Sequence, residues 1–433
     1  METQLTRGCR PDTAKGKCRV LVAHSGRQYA HRVALAVQSA GCLEQFVTSG
    51  YYRPDRFPDR LLSHWPGLDR LMRRRTFAGL DSGRVRRRWG LELPELLVRP
   101  TLGNGLLAER LVFLRDARFD RWVARRFASS CDIYWGFQGS CLESLRAARG
   151  EGKKAVAEFA TAHVTLAVEL LSAERDKHPE WADSISNLRF PDWYRRRLEQ
   201  EPHEADVCVA SSQFTKNSLL SVGIAEERIR LLPLGADLDE FTTVARSPEG
   251  PMRILFVGGV GQRKGIKYLL EAYCKMRTSG TELALVGPLM GSGKALRRYE
   301  GRYTYLGRLD SHEVVREMHR SHVLVLPSVF EGFAMVIPEA MATGMPVIAS
   351  THSIAPEVIR DGEHGFVLEP DDVDGLAARL DWLAMHRREA CDMGARAAVQ
   401  ARSLSWDCHR AKVAELIEDI AQGRQSGTRC SSE

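Results

Sequence analysis

Long apolar runs are missing from this 433-residue chain. Nowhere do about 18 consecutive apolar residues occur, the least that a membrane-crossing helix requires, and the first residues lack the apolar core of a secretory leader. The ten cysteines contain no C-x-x-C and no paired zinc spacing, so they read as reduced thiols of a cytoplasmic protein rather than a disulfide or metal framework. The D-x-D string at Asp237 and Asp239, in LPLGADLDEF, has no phosphate-binding loop beside it where magnesium would gain oxygen ligands, so no metal is expected. There is also no internal repeat and no low-complexity block.

What is present suits two α/β domains. The length exceeds one ordinary domain and lets each of two build its own core. Residues 243–252 (TVARSPEGPM) are polar, with two prolines and a glycine, and read as a linker. A first domain is expected over 17–245 and a second over 252–400. Residues 404–422 read as a helix, whereas 1–16 and 423–433 are polar and aperiodic, as disordered ends are.

The densest chemistry lies at 326–350, LPSVFEGFAMVIPEAMATGMPVIAS. The run 322–327 (HVLVLP) is the kind that forms a buried parallel strand, and 338–343 (PEAMAT) reads as a helix with proline in its first turn. Ligands of open α/β sheets bind at such carboxyl strand ends. Gly332 would let backbone approach a ligand, and the amides of Phe333 and Ala334 lie beside the oncoming helix. Glu331 and Glu339, separated by seven residues, could each accept from two hydroxyls at once, Glu339 from a ribose and Glu331 from a hexose. Taken singly, Glu339 also reads as a helix-dipole partner and Glu331 as a solvated loop residue.

A second constellation begins at Ile254 (ILFVGGVGQRKGIKYLLEA). Gly258, Gly259 and Gly261 precede Arg263 and Lys264, placing a forked cation and a point charge at the mouth of a glycine-rich turn suited to phosphate. The G-x-G-x-x-x-G within it is a poor dinucleotide fingerprint, since no acidic ribose partner follows about 20 residues on. Upstream, 155–163 (AVAEFATAH) reads as a strand running into a loop that ends at His163, and 18–23 (CRVLVA) as a first strand followed by Gly26 and Arg27.

The stretch EGFAMVIPEAMATGMPVIAS resembles the nucleotide-sugar signature of the retaining GT-B glycosyltransferases of family GT4 (glycosyltransferase group 1), E-G-F-G-x-x-x-x-E-A-M-A-x-G-x-P-V-I-A. LALVG at 283, YLGRL at 305 and HGFVL at 364 extend the resemblance, which runs from about Glu204 to the 380s. It implies two Rossmann-like domains facing across a cleft, with the helix at 401–422 crossing back to the first. It implies a nucleoside diphosphate sugar as donor, UDP- or GDP-linked, bound through Gly261, Arg263, Lys264, Glu331, Gly332, Phe333, Ala334 and Glu339. It further implies that His163 holds the donor sugar's hydroxyls and that Arg263 and Lys264 stabilise the leaving diphosphate. Many members carry arginine where this chain has Gly259, so Arg263 would take over that role. The implied activity is front-face hexosyl transfer, with retention, to a carbohydrate, lipid-linked or small-metabolite hydroxyl. A sugar-nucleotide epimerase and a non-catalytic donor-binding scaffold are the alternatives on the same fold.

Charge is distributed unevenly. Residues 70–126 hold 15 arginines and six acidic residues, net +9, against +7 for the whole chain. With Trp65, Trp89 and Trp122 interleaved, this block suits an anionic membrane surface at the inner face or an anionic acceptor, and equally a solvated helical face. It contains no nucleic-acid reading motif.

Overall fold

The computed structural model describes residues 18–26, 29–54, 56–57, 59–64, 69, 72–73, 75–92, 106–185 and 190–424. Arg27, Trp65, Arg70 and Arg74, with residues 1–16 and 425–433, lie outside them.

Short runs rich in β-branched and leucine residues, buried on both faces in the central strands, form two wholly parallel sheets. The first contains β1 (Val20–His24), β2 (Leu43–Thr48), β3 (Val85–Arg87), β4 (Ile133–Phe137), β5 (Lys154–Phe159), β6 (Val207–Ala210) and β7 (Ile229–Leu231), in the order β3-β2-β1-β4-β5-β6-β7. The second contains β8 (Met252–Val257), β9 (Thr281–Val286), β10 (Thr304–Gly307), β11 (Val323–Leu326), β12 (Val347–Ser350) and β13 (Gly365–Leu368), in the order β10-β9-β8-β11-β12-β13. In each sheet the order reverses beside the first strand, between β1 and β4 and between β8 and β11. Crevices at such reversals are where doubly wound sheets bind ligands.

The helices that shape the site are α1 (Ala30–Ser39), α2 (Leu106–Phe127), α3 (Leu142–Gly150), α4 (Val164–Lys177), α5 (Asp192–Glu204), α6 (Ile266–Lys275), α7 (Val336–Ala342) and α8 (Trp406–Ala421). Each sheet has its own apolar core, one around Trp135, Phe46 and Val22, the other around Phe256, Leu324 and Met341. Helix α8 packs on α1, and its Val413, Leu416, Ile417 and Ile420 join the core of the first sheet. Among the described residues no helix is long and apolar enough to cross a membrane.

The two halves meet at hydrogen-bonded contacts. Glu174 of α4 accepts from Gln262 Nε2 at 2.6 Å and from the Tyr268 hydroxyl at 2.8 Å. Asp183 accepts from the Ser292 amide, and the Gln213 amide donates to Glu357.

Candidate functional site

The loops leaving β8 and β11 flank the strand-order reversal of the second sheet, and the chain ties them together. The Arg263 carbonyl accepts from the Val329 amide at 3.0 Å, and Arg263 Nη1 donates to the Phe330 carbonyl at 3.0 Å. Gly265 makes the close approach feasible. Its φ is +68°, and a Cβ there would lie 1.8 Å from the Pro327 carbonyl oxygen, so no other residue fits.

Within this junction Glu331 receives two cations. Arg263 Nη1 lies 2.8 Å from Glu331 Oε1, and Lys264 Nζ contacts the same oxygen. The glutamate is buried, 8 % exposed. Burial alone would raise its pKa, but the Lys264 and Arg263 charges and their hydrogen bonds outweigh it and hold the carboxyl below its ordinary value. Lys264 shifts downward because burial and the Arg263 charge disfavour its ammonium, against the pull of Glu331. Both cations expected to face a phosphate are therefore held on one carboxylate, which a diphosphate bearing more charge and more acceptor oxygens can replace.

Glu339 stands apart from this cluster. It is the fourth residue of α7, a helix of only seven residues, and is half-buried beside Glu240 and Asp237. Burial first, then those two acidic neighbours, pushes its pKa up to about 8. Asp237 is itself paired with Arg32 at 3.1 Å.

The loop between the two glutamates differs from expectation in two ways. The close approach at Gly332 is to protein rather than to open cleft: a Cβ would lie 1.9 Å from the Ala160 carbonyl oxygen, and Gly332 bridges Thr161 of the first half. Ala334 adopts φ +63°, among the described residues the one non-glycine with positive φ. A left-handed alanine costs roughly 1–2 kcal/mol, which explains why the family pattern has glycine at this place. Gly261 is packed under Met290 and the Ser184 carbonyl oxygen, and the Gln262 amide donates to Ser184 Oγ, so part of the turn is closed by the first half.

Among the described residues no hydrogen bond or ion pair joins His163 to the cations. It caps α4, with Nδ1 accepting from the Thr165 amide at 3.3 Å, and its ring is buried near Glu199 and His203 of α5. Capping satisfies an orphan amide of the helix start and turns the imidazole into the first half. Burial lowers its pKa to about 4, so it is neutral at pH 7, and among the described residues Nε2 has no hydrogen-bond partner.

The first-half wall of the cleft is made by Gln138, Thr161 and Ala162, which with Arg263 and Phe330 enclose a cavity of about 180 Å³. The loop that carries Thr161 and Ala162 was expected from the sequence, whereas Gln138 and Gln262 were not singled out, although Gln262 lies inside the glycine-rich turn. Among the described residues no group of three or more His, Cys, Asp or Glu side chains is gathered as a metal site would need.

Residues 251–386 match the family model described as Glycosyl transferases group 1, which bears out the resemblance over that stretch. The MMP alpha-(1->4)-mannosyltransferase of Mycolicibacterium hassiacum is 30% identical over 243 residues, 53% of this chain and 57% of the relative. The D-inositol 3-phosphate glycosyltransferase of Streptomyces scabiei is 31% identical over 215 residues, 44% of this chain and 48% of the relative. The chain spans about half the length of the curated relatives it matches. Among solved structures, sucrose-phosphate synthase from Thermosynechococcus elongatus covers 94% of this chain and all of its own, at 17% identity and a TM-score of 0.63. Anabaena Alr3699/HepE in complex with UDP-glucose covers 93% of this chain and all of its own, at 16% identity and a TM-score of 0.59. At such identities these likenesses show the fold alone, and that fold is the two-sheet GT-B architecture expected from the sequence.

Proposed function

We propose that the chain is a glycosyltransferase that moves a hexosyl unit, with retention, from a UDP- or GDP-linked sugar to a carbohydrate, lipid-linked or small-metabolite hydroxyl. One observation carries the reading: Arg263 and Lys264 converge on Glu331 at the strand-order reversal of the second sheet, facing the first half. That the relatives over this stretch are glycosyltransferases supports it.

In this reading the diphosphate takes Arg263 and Lys264 from Glu331. The freed carboxylate then accepts from hexose hydroxyls, while Glu339 takes the ribose diol. As the bond from the sugar to the diphosphate breaks, the two cations absorb the charge that develops on the leaving phosphate. A phosphate oxygen of the donor takes the proton of the attacking hydroxyl on the same face, so no second carboxylate is required, unlike the paired acids of most glycosidases.

The deciding experiment incubates the purified protein with a panel of nucleoside diphosphate sugars and records thermal shift and diphosphate release, with Lys264→Ala alongside. In that variant Arg263 still neutralises Glu331, so the fold is retained. Donor-specific stabilisation with slow release that the variant loses is the expected result. Stabilisation without release in the presence of acceptors would point to a donor-binding scaffold, and release of altered sugar nucleotide without acceptor to an epimerase.

A further inference from the structure

Helix α2 divides its charges by side. Its inner flank carries Asp116, which accepts from Ser25 Oγ at 2.6 Å and the Tyr194 hydroxyl at 2.9 Å. It also carries Asp120, which accepts from the Glu143 and Ser144 amides and from Arg197. These carboxylates fasten α2 to the loop after β1, to the start of α3 and to α5. The outer flank presents Leu107, Arg110, Leu114, Arg118, Arg121 and Arg125, all exposed and spaced three or four residues apart, which is one face of a helix about 33 Å long.

Exposed Arg146, Arg149 and Arg195 of the same half are paired with Glu204 and Glu199. Here the pairing is absent. Among the described residues none of Arg88, Arg118, Arg121, Arg125 and Arg126 has a carboxylate partner, and they surround Trp122 in an open pocket of about 360 Å³. Arg88 lies over the Trp122 ring at 5.8 Å.

The opposite end of the same face exposes large apolar side chains beside Arg110. Leu107 is 50 % exposed, and Leu114 and Trp193 40 % each. Between Leu114 and Trp193 a groove, with Glu109 and Arg110 on its rim, passes Phe113 and Phe190, which also line the cavity that Arg263 bounds. An approach to the Arg263 cavity that runs past exposed leucine, tryptophan and phenylalanine side chains suits an acceptor with an apolar carrier.

We propose that the outer face of α2 docks on an anionic lipid bilayer. The arginines meet lipid phosphates, and Leu107, Leu114 and Trp193 enter the boundary between headgroups and acyl chains. The groove then hands a lipid-linked acceptor to the cavity at Arg263, a consequence that rests on the glycosyl-transfer reading, whereas the docking does not. The excess of positive charge within 70–126, set against a net −2 elsewhere (+7 minus +9), supplies the complementarity.

The test is flotation of the full chain with phosphatidylcholine vesicles and with vesicles that also contain phosphatidylglycerol, at low and high salt. Binding is expected only to the anionic vesicles and is expected to weaken with salt. The exposed triple variant Arg118→Gln/Arg121→Gln/Arg125→Gln should lose roughly a hundredfold in partitioning, about fivefold per arginine. Leu114→Ser/Trp193→Ser should lose several-fold, with the sugar-nucleotide thermal shift unchanged in both. Equal binding by the triple variant, equal binding to neutral vesicles, or binding of soluble tripolyphosphate with no flotation would overturn the proposal. Flotation without any sugar-nucleotide shift in any of the proteins would instead overturn the transferase reading alone.

Discussion

Glu331 and Glu339 stand at the two ends of one loop and one short helix, were singled out by the same motif, and have opposite electrostatic fates. Glu331 meets Arg263 and Lys264, delivered by the neighbouring loop after β8, and is held ionised. Glu339 meets Glu240 and Asp237, delivered by the segment that leaves the first sheet, and retains a proton to about pH 8. Spacing within the motif sets where the two carboxyls stand. Their charge is decided by groups from distant parts of the chain, so the same residue type serves as an anion at one end and as an acid at the other.

The contrast can be broken most directly at Glu331. Glu331→Ala leaves two cations facing each other in a buried site and is expected to lose about 3–5 kcal/mol by urea titration, whereas Glu339→Ala removes no favourable pair. If the two variants unfolded at the same denaturant concentration, the difference drawn between the ends of the loop would be wrong. Next in size, Lys264→Ala should lower turnover of the donor found in the panel by about a hundredfold or more, while stability changes less than in Glu331→Ala because Arg263 still covers the carboxylate.

A pH series sharpens the other end. The folded pKa of Glu339 is raised from the ordinary 4.5 to about 8, so between those values the folded protein holds a proton that the unfolded chain has lost. Its contribution to stability is therefore fully present below about pH 4.5 and is lost as pH rises through 8. The Glu331 contribution runs the other way, present above pH 4.5 and lost as acid reaches its lowered pKa. Donor affinity should oppose the first trend: a ribose diol donates two hydrogen bonds and favours the ionised form of Glu339, so affinity rises towards pH 8 and then levels. Calorimetric titration across pH 5 to 9 reads this directly, and Glu339→Gln should flatten both curves. An unchanged profile in that variant would place the titrating group elsewhere. The smallest effect is expected between the glutamates, where Ala334→Gly relieves a left-handed alanine and should raise stability by up to about 1 kcal/mol, the glycine's looser unfolded chain taking back part of the gain.

Much of this was legible because it is local. The strand at 322–327 is observed as Val323–Leu326, and the helix begins at Val336, two residues earlier than read. The glycine-rich turn and its cations stand where β-branched strands and turn residues place them. Alanine at 334, where the family pattern has glycine, was a visible departure, but only the backbone dihedral shows what it costs. Other features depend on packing that no window contains. AVAEFATAH locates His163 at the end of a strand, but its ring orientation is decided by the cap of α4 and by α5, which presents Glu199 and His203. Glu174 gave no signal in sequence, being one acid among many on a helix, and becomes the partner of Gln262 and Tyr268 only when the halves meet. The arginine block was evident as composition, and its division into an inward carboxylate flank and an outward guanidinium face required the helix.

Helix α8 has a consequence for how the protein is made. The core of the first sheet begins with Val20 and is completed by Val413, Leu416, Ile417 and Ile420, so during translation that half must wait for nearly four hundred residues to emerge before its apolar surface is covered. The second sheet closes its own core earlier, with residues up to Leu404. Order of synthesis and order of completion are thus reversed between the halves. A released chain truncated after residue 404, which lacks α8, should show a protease-resistant second half attached to a still-digestible first half. Equal resistance of the two would mean that the first sheet is stable without its late-arriving helix.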